Sequence, residues 1–267
     1  MNKTKKVIII IASIVVFAGL IGGIVFLVGM LRNKTAEQEV IAYQETITPD
    51  GERFEDKDGD GYSDWDEDIL QQIIDTQIAS GSDLKNVLAG ENYSWNENGR
   101  LQAIYWTNQR LVGEVSFAGL DELNTVIING TFENPNFITH LDVKENKNLV
   151  QLDCSYSNLF SLDISGLDKL TMLICNGNAI SELRFNGNVS LEMLDCCKNN
   201  ITILDLSQTT GLKFLLADDN RLETLDCSAC PKLYLLACTK NQITKLDLTK
   251  NSEIYTLETD PGVEVIK

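Results

Sequence analysis

From Leu149 onward the apolar positions repeat every 21 residues. Each unit opens on Leu149, Leu170, Leu191, Leu212, Leu233 or Ile254. Three residues later stand Leu152, Leu173, Leu194, Leu215, Leu236 and Leu257, and two further on Cys154, Cys175, Cys196, Ala217, Cys238 and Thr259. A polar position follows, held by Ser157, Asn178, Asn199, Asn220 and Asn241. The pattern turns apolar again at Leu159, Ile180, Ile201, Leu222 and Ile243, then at Leu162, Leu183, Leu204, Leu225 and Leu246, and last at Ile164, Phe185, Leu206, Cys227 and Leu248. Less regular units extend the series backward. Leu123, Val126, Ile128, Asn136, Ile138, Leu141 and Val143 fit with a loop inserted before Asn136, and Leu101, Ile104, Trp106 and Leu111 make a degenerate first unit. About seven units and a terminal cap result. The local alternation of inward and outward residues predicts a short strand in each unit. A single turn cannot bury its own apolar set, so successive turns must stack into a solenoid.

The motif LxxLx[L/C]xxNx[L/I]xxL resembles a leucine-rich repeat. The asparagines should end the strands and bond to backbone groups that the turn leaves unpaired, with Ser157 a shorter and weaker rung. Cys154, Cys175, Cys196 and Cys238 share one inward position. With strands about 4.8 Å apart they should stack as a ladder of free, buried thiols behaving as compact hydrophobes. Cys197 and Cys230 lie off that ladder and are expected to be the reactive ones. A 21-residue, cysteine-bearing unit resembles the cysteine-type repeats of internalin J and related surface proteins of Gram-positive bacteria, over about residues 101–267. The wall-sorting signal common among internalins is absent from the C-terminus, so anchorage would fall to the N-terminus. The strand residues between the inward leucines should line a concave surface. Met172, Ile174, Met193, Phe214, Leu216, Tyr234, Leu235 and Tyr255 would form an apolar patch there, bordered by acidic residues. Such a patch with a polar rim suits a protein or peptide partner. The alternative is that these side chains only cover one another across strands.

Residues 7–31 read VIIIIASIVVFAGLIGGIVFLVGML and carry no charge. At about 1.5 Å per residue a helix of that length spans roughly 37 Å, enough to cross a bilayer with some tilt. Lys3, Lys5 and Lys6 before it favour a cytoplasmic N-terminus. A cleaved signal peptide is the rival reading, but no small-x-small site follows the run. The expectation is an uncleaved signal anchor with the bulk of the chain extracellular.

Between the linker and the repeats, Asp56 to Glu67 fits D-x-[DN]-x-[DN]-G-x5-E at every fixed position. A hard cation takes six to eight oxygens. Asp56, Asp58 and Asp60 would supply three at alternate residues, Tyr62 its carbonyl, Asp64 a direct or water-mediated contact and Glu67 two oxygens, while Gly61 permits the turn. The loop resembles that of an EF-hand, and more closely the isolated loops of bacterial surface proteins. Pro49 and Gly51 spoil an entering helix, so a lone structural Ca2+ site is expected. After it, Ile69, Leu70, Ile73, Ile74 and Ile78 fall on one helical face, and a second short helix is expected over Asp83 to Leu88.

The expected fold is thus an α/β solenoid: a leucine-rich-repeat horseshoe with short parallel strands and an N-terminal helical cap, preceded by a single transmembrane helix. Its segments would be a cytoplasmic tail (1–6), the anchor (7–31), a linker (32–50), the loop and cap (51–98), the repeats (99–253) and a C-terminal cap (254–267).

Charge and composition narrow the function. The chain carries 39 Asp and Glu against 22 Lys and Arg, a formal net charge of −17, which argues against a nucleic-acid partner. One histidine, His140, leaves little for base-assisted catalysis, so no enzyme is expected. The leading expectation is a membrane-anchored extracytoplasmic module binding a protein or peptide on its concave face. The alternative is a structural or regulatory envelope protein assembling with itself or a neighbouring membrane protein.

Overall fold

The computed structural model describes residues 56–267 apart from 87 and 89, all within one compact unit, Ile47–Lys267. The tail, anchor and linker expected over 1–50 lie outside the described residues. Among the described residues no helix is long and apolar enough to cross a membrane.

The strands, numbered along the chain, fall into two rows. The first row is one nine-stranded sheet built from β1 (Tyr93–Trp95), β2 (Leu101–Tyr105), β4 (Thr125–Ile127), β6 (Gln151–Asp153), β8 (Met172–Ile174), β10 (Met193–Asp195), β11 (Phe214–Leu216), β12 (Leu235–Ala237) and β14 (Thr256–Glu258), in that order. The second row holds the pairs β3 (Val112–Ser116) with β5 (Phe137–Asp142), β7 (Ser161–Asp163) with β9 (Glu182–Arg184), and β13 (Lys245–Asp247) with β15 (Glu264–Ile266). Register in the first row follows the 21-residue period: Leu152 pairs with Leu173, then Leu194, Leu215, Leu236 and Leu257. The core lies between the rows. Each turn sends its leucines there from both sides, and Leu152, Leu173, Leu194, Leu215 and Leu236 have no exposed surface.

Two expectations are corrected. The repeats return through short strands and bends, so the solenoid is a β-solenoid rather than α/β, and among the described residues the single helix, α1 (Asp64–Ala79), sits in the cap. Turns of this length leave too few residues for a return helix of useful stability. Among the described residues of Asp83 to Leu88, the second cap helix expected there is not formed. Its backbone is used otherwise: Asp83 N–H donates to Gln109 O at 2.7 Å, and Leu84 is drawn into the core.

The asparagines hold the turns in register. Asn199 Nδ2 donates at 3.0 Å to Cys175 O in the preceding turn and to Cys196 O in its own, while its Oδ1 accepts from Ile180 N–H at 2.9 Å. Asn178, Asn220 and Asn241 repeat this arrangement. One amide thus pairs backbone groups of adjacent turns that would otherwise be buried unpaired, which is why the polar position is so regular. Ser157 breaks the series as expected, and the amide of Asn136 reaches its Oγ at 3.1 Å instead.

The residue before each of these asparagines adopts a left-handed backbone: Gly177 (φ 65°), Lys198 (54°), Asp219 (57°) and Lys240 (54°), with Tyr156 (50°) at the same place before Ser157. A side chain there is strained by about 1 kcal/mol, and the asparagine bonds offset it. Only Gly177 has no Cβ, and one added there would lie 2.6 Å from the Tyr156 ring.

A second polar series crosses the core 21 residues apart at Asn188, Thr209, Cys230 and Asn251. Asn188 donates to Ile164 O and Leu167 O, and Asn251 to Cys227 O and Cys230 O. Thr209 Oγ1 donates to Leu206 O, and the Cys230 thiol lies 3.5 Å from Thr209 O.

Candidate functional site

The Asp56–Glu67 loop wraps its own carboxylates inward. Gly59 and Gly61 N–H donate to the two oxygens of Asp56 at 2.7 and 3.0 Å, Asp60 N–H to Asp58 at 3.2 Å and Tyr62 N–H to Asp60 at 2.9 Å. Gly59 and Gly61 adopt φ of 78° and 91°, which close the turn without steric cost. One carboxylate oxygen from each of Asp56, Asp58 and Asp64 lies within 4.8 Å of the others, as do those of Asp58, Asp60 and Glu67. Desolvation, with Asp60, Asp58, Asp64 and Asp56 around it, pushes the Glu67 carboxyl up to about 7. These carboxylates could hold a hard cation, and the all-oxygen donor set fits Ca2+ better than a transition metal.

The loop is wired to the solenoid by residues the motif does not specify. The Tyr62 ring packs 4.6 Å from that of Trp95 on β1. Ser63 N–H donates to Gly99 O at 2.9 Å. Asp66, fully buried, accepts a bidentate pair from Arg100 at 2.7 and 2.9 Å and a third bond from Leu101 N–H at 2.8 Å. Further along α1, Leu70 and Ile74 are buried, Ile69 and Ile73 pack partly against the core, and Ile78 is more exposed. Gln77, also buried, accepts from Val112 N–H at 2.8 Å and donates to Val112 O at 2.9 Å, standing in for a strand beside β3.

The binding face predicted from the sequence lies on the nine-stranded sheet. Met193, Phe214 and Leu235 sit side by side in register, as do Ile174, Asp195 and Leu216. Their inward neighbours belong to the core cluster and they do not. They nevertheless lose most of their surface: Ile174, Met193, Phe214 and Leu235 are buried, because in-register neighbours flank each side chain about 4.8 Å away on both sides. Met172, Leu216 and Tyr234 are half-buried, and Tyr255 is 76% exposed. The Tyr234 and Tyr255 rings stack at 5.4 Å with only 11° between their planes, and Phe214 meets Tyr234 edge-on at 6.2 Å. The open part of the face is therefore its tyrosine end.

Polar groups run along the same face. Asp153 accepts from Ser155 N–H and Oγ at 3.0 and 2.6 Å, and burial pushes its carboxyl up to about 6. Asp195 accepts from Asn176 Nδ2 at 2.8 Å and from Cys197 N–H at 3.1 Å, and burial raises its carboxyl as well. Asp218 accepts from Thr239 N–H and Oγ1 at 2.6 and 2.7 Å. Asp195 and Asp218 belong to the acidic border that the spacing placed beside the apolar patch, whereas Asp153, between Leu152 and Cys154, reads from spacing as an outward solvated residue.

All seven cysteines are free. Cys154, Cys175 and Cys196 have no exposed surface and Cys238 almost none, and burial raises all four thiols. Cys230, expected to be reactive, is buried in the second polar series, while Cys197 is half-buried with Sγ 3.8 Å from Asp218. His140 is exposed on β5, opposite Glu114.

The 21-residue turn, the parallel strand row, the asparagine series and the column of buried thiols together make a β-solenoid whose turns carry a leucine-rich-repeat pattern. Among solved structures, the chain is similar to the functional domain of InlJ from Listeria monocytogenes, described as including a cysteine ladder, at 25% identity and a TM-score of 0.40, over 63% of this chain and 46% of that one. It is also similar to a leucine-rich-repeat protein of Leptospira interrogans at 21% identity and a TM-score of 0.41, over 53% of this chain and 44% of that one. The chain thus covers less than half of either protein. No protein-family model and no curated protein matches it.

Proposed function

We propose that the chain is a membrane-tethered, extracytoplasmic binding module. In this reading residues 7–31 form the tether, the Asp56–Glu67 loop holds one Ca2+ that stiffens the cap, and a protein or peptide partner docks on the nine-stranded face. The observation that carries it is the tyrosine end of that face. Tyr255 keeps 76% of its surface in solvent while its ring stacks on Tyr234, outside the core that its own strand helps to build. Large rigid aromatics in that position are what docking surfaces use. The calcium part rests on the convergent carboxylates and on the ties from Tyr62, Ser63 and Asp66 to the first turn.

Partner capture by the chain, compared with Tyr234→Ala/Tyr255→Ala and with Ile203→Ala, tests the reading. Ile203 is 78% exposed beside the second row and serves as the control. Capture lost with the tyrosines and kept with Ile203→Ala supports it; capture indifferent to the tyrosines overturns it.

A further inference from the structure

The tyrosine end of the sheet face leaves open what kind of partner fits it, and the charges along the face decide. We infer that the face takes an arginine- or lysine-bearing peptide segment, with its cations over the Tyr234–Tyr255 pair and beside Asp218 and Glu258. This rests on that face being the binding surface.

The face is acidic and almost without cations of its own. From β6 to β14 the strands of this face carry no Lys or Arg, and Lys213, just before β11, has its Nζ held by Glu192 at 2.6 Å. Lys198 and Lys240 stand three residues past the ends of β10 and β12, on the left-handed turns. Asp153, Asp195 and Asp218 are held by neutral donors, and among the described residues none pairs with a cation. Asp218, just past β11, is half-buried, and Glu258 is exposed on β14, two strands away. Carboxylates with restricted water and no counter-cation attract an incoming positive group more strongly than solvated ones do.

The rings supply the second half of the match. A guanidinium or ammonium is drawn to the negative face of an aromatic ring within about 6 Å. The outer face of Tyr255 is open, and the stacked Tyr234 holds it in orientation. An apolar peptide would cover the rings but leave the carboxylates beside it desolvated and unpaired, at a cost. A neutral glycan could stack on the rings and accept nothing from the charge. The net charge of −17 adds long-range attraction for a cationic segment.

The test uses the full chain in detergent and a fluorescein-labelled peptide alternating arginine with serine, read by anisotropy. Its isostere with citrulline in place of arginine removes the charge alone, and maltohexaose tests the glycan alternative. The arginine peptide should bind, the citrulline peptide at least about tenfold more weakly, and added salt should weaken binding further. Asp218→Asn/Glu258→Gln and Tyr234→Ala/Tyr255→Ala should each weaken it by about fivefold or more. Asp205→Asn/Asp226→Asn removes the same charge from exposed positions beside the second row and should change binding less than about twofold. Equal binding of both peptides, equal effects of the two charge-neutralised variants, or tyrosine-dependent binding of maltohexaose in place of the peptide would overturn the inference. If no peptide binds but partner capture still depends on Tyr234 and Tyr255, the cationic chemistry fails and the binding face survives. If capture is indifferent to the tyrosines too, both fall.

Discussion

Replacing Asn199 with alanine should destabilise the solenoid by about 3 kcal/mol, a value built from its three shortest bonds. Its Oδ1 is the only acceptor found for Ile180 N–H, at 2.9 Å in the interior. Leaving that donor unpaired costs about 1–3 kcal/mol. The two carbonyls fare better, because Cys175 O also accepts from Asn178 and Cys196 O from Asn220, so each keeps one bond. Losing the second bond at each adds about 1 kcal/mol apiece, and water entering the vacated space returns part of the total. Asn199→Asp keeps the acceptor but aims a carboxylate at two carbonyls, and should cost at least as much. Asn200→Ala is the control, since that neighbour makes a single long bond to Ala179 O at 3.4 Å and should lose less than about 1 kcal/mol. Urea unfolding measures both, and hydrogen exchange at the Ile180 amide locates the loss. An Asn199→Ala loss no larger than that of Asn200→Ala would refute the asparagine account.

Other outcomes follow from the same geometry. Calorimetry should find one Ca2+ bound with a Kd of about 10⁻⁴ to 10⁻³ M, the range of extracellular modules. Asp58→Ala/Glu67→Ala should abolish that binding and loosen the β1–β2 cap, so identical heats for parent and variant would rule the site out. A thiol reagent should count seven cysteines in denaturant and reach Cys197 first in the native chain, though slowly because burial and Asp195 raise its thiol; fast labelling of Cys230 would contradict its burial. Asp153→Asn should stabilise the protein at neutral pH. The folded carboxyl titrates at about 6 against 3.8 unfolded, so its favourable contribution is complete below about pH 4 and is lost as pH rises through 6. The variant, which keeps an acceptor for Ser155, should gain up to about 3 kcal/mol at pH 7 and nothing at pH 3. Stability curves that stay parallel across that range would count against it.

The turn architecture was legible because it is periodic. Every inward leucine from Leu152 to Leu257 sits in the register that the 21-residue spacing demands. The asparagine role was legible for the same reason. What periodicity hides is depth. Phe214 alternates with Leu215 as an outward residue should, yet Met193 and Leu235 enclose it, and no rule of spacing measures how far in-register neighbours cover one another. Cys230 shares its place with Thr209 and Asn251, a weaker repeat of mixed side chains that reads as scatter until the turns are stacked. The loop carboxylates follow a local motif spacing, so their convergence was foreseeable, whereas the Asp66–Arg100 tie joins residues 34 apart and needs the fold.

The claim that the nine-stranded face carries the partner is tested most directly by hydrogen–deuterium exchange with and without the captured partner. The account predicts added protection in the segments holding Phe214–Leu216, Leu235–Ala237 and Thr256–Glu258, with the second row from Ser161–Asp163 to Lys245–Asp247 unchanged. Protection confined to the second row, or to the Asp56–Glu67 loop, would contradict it.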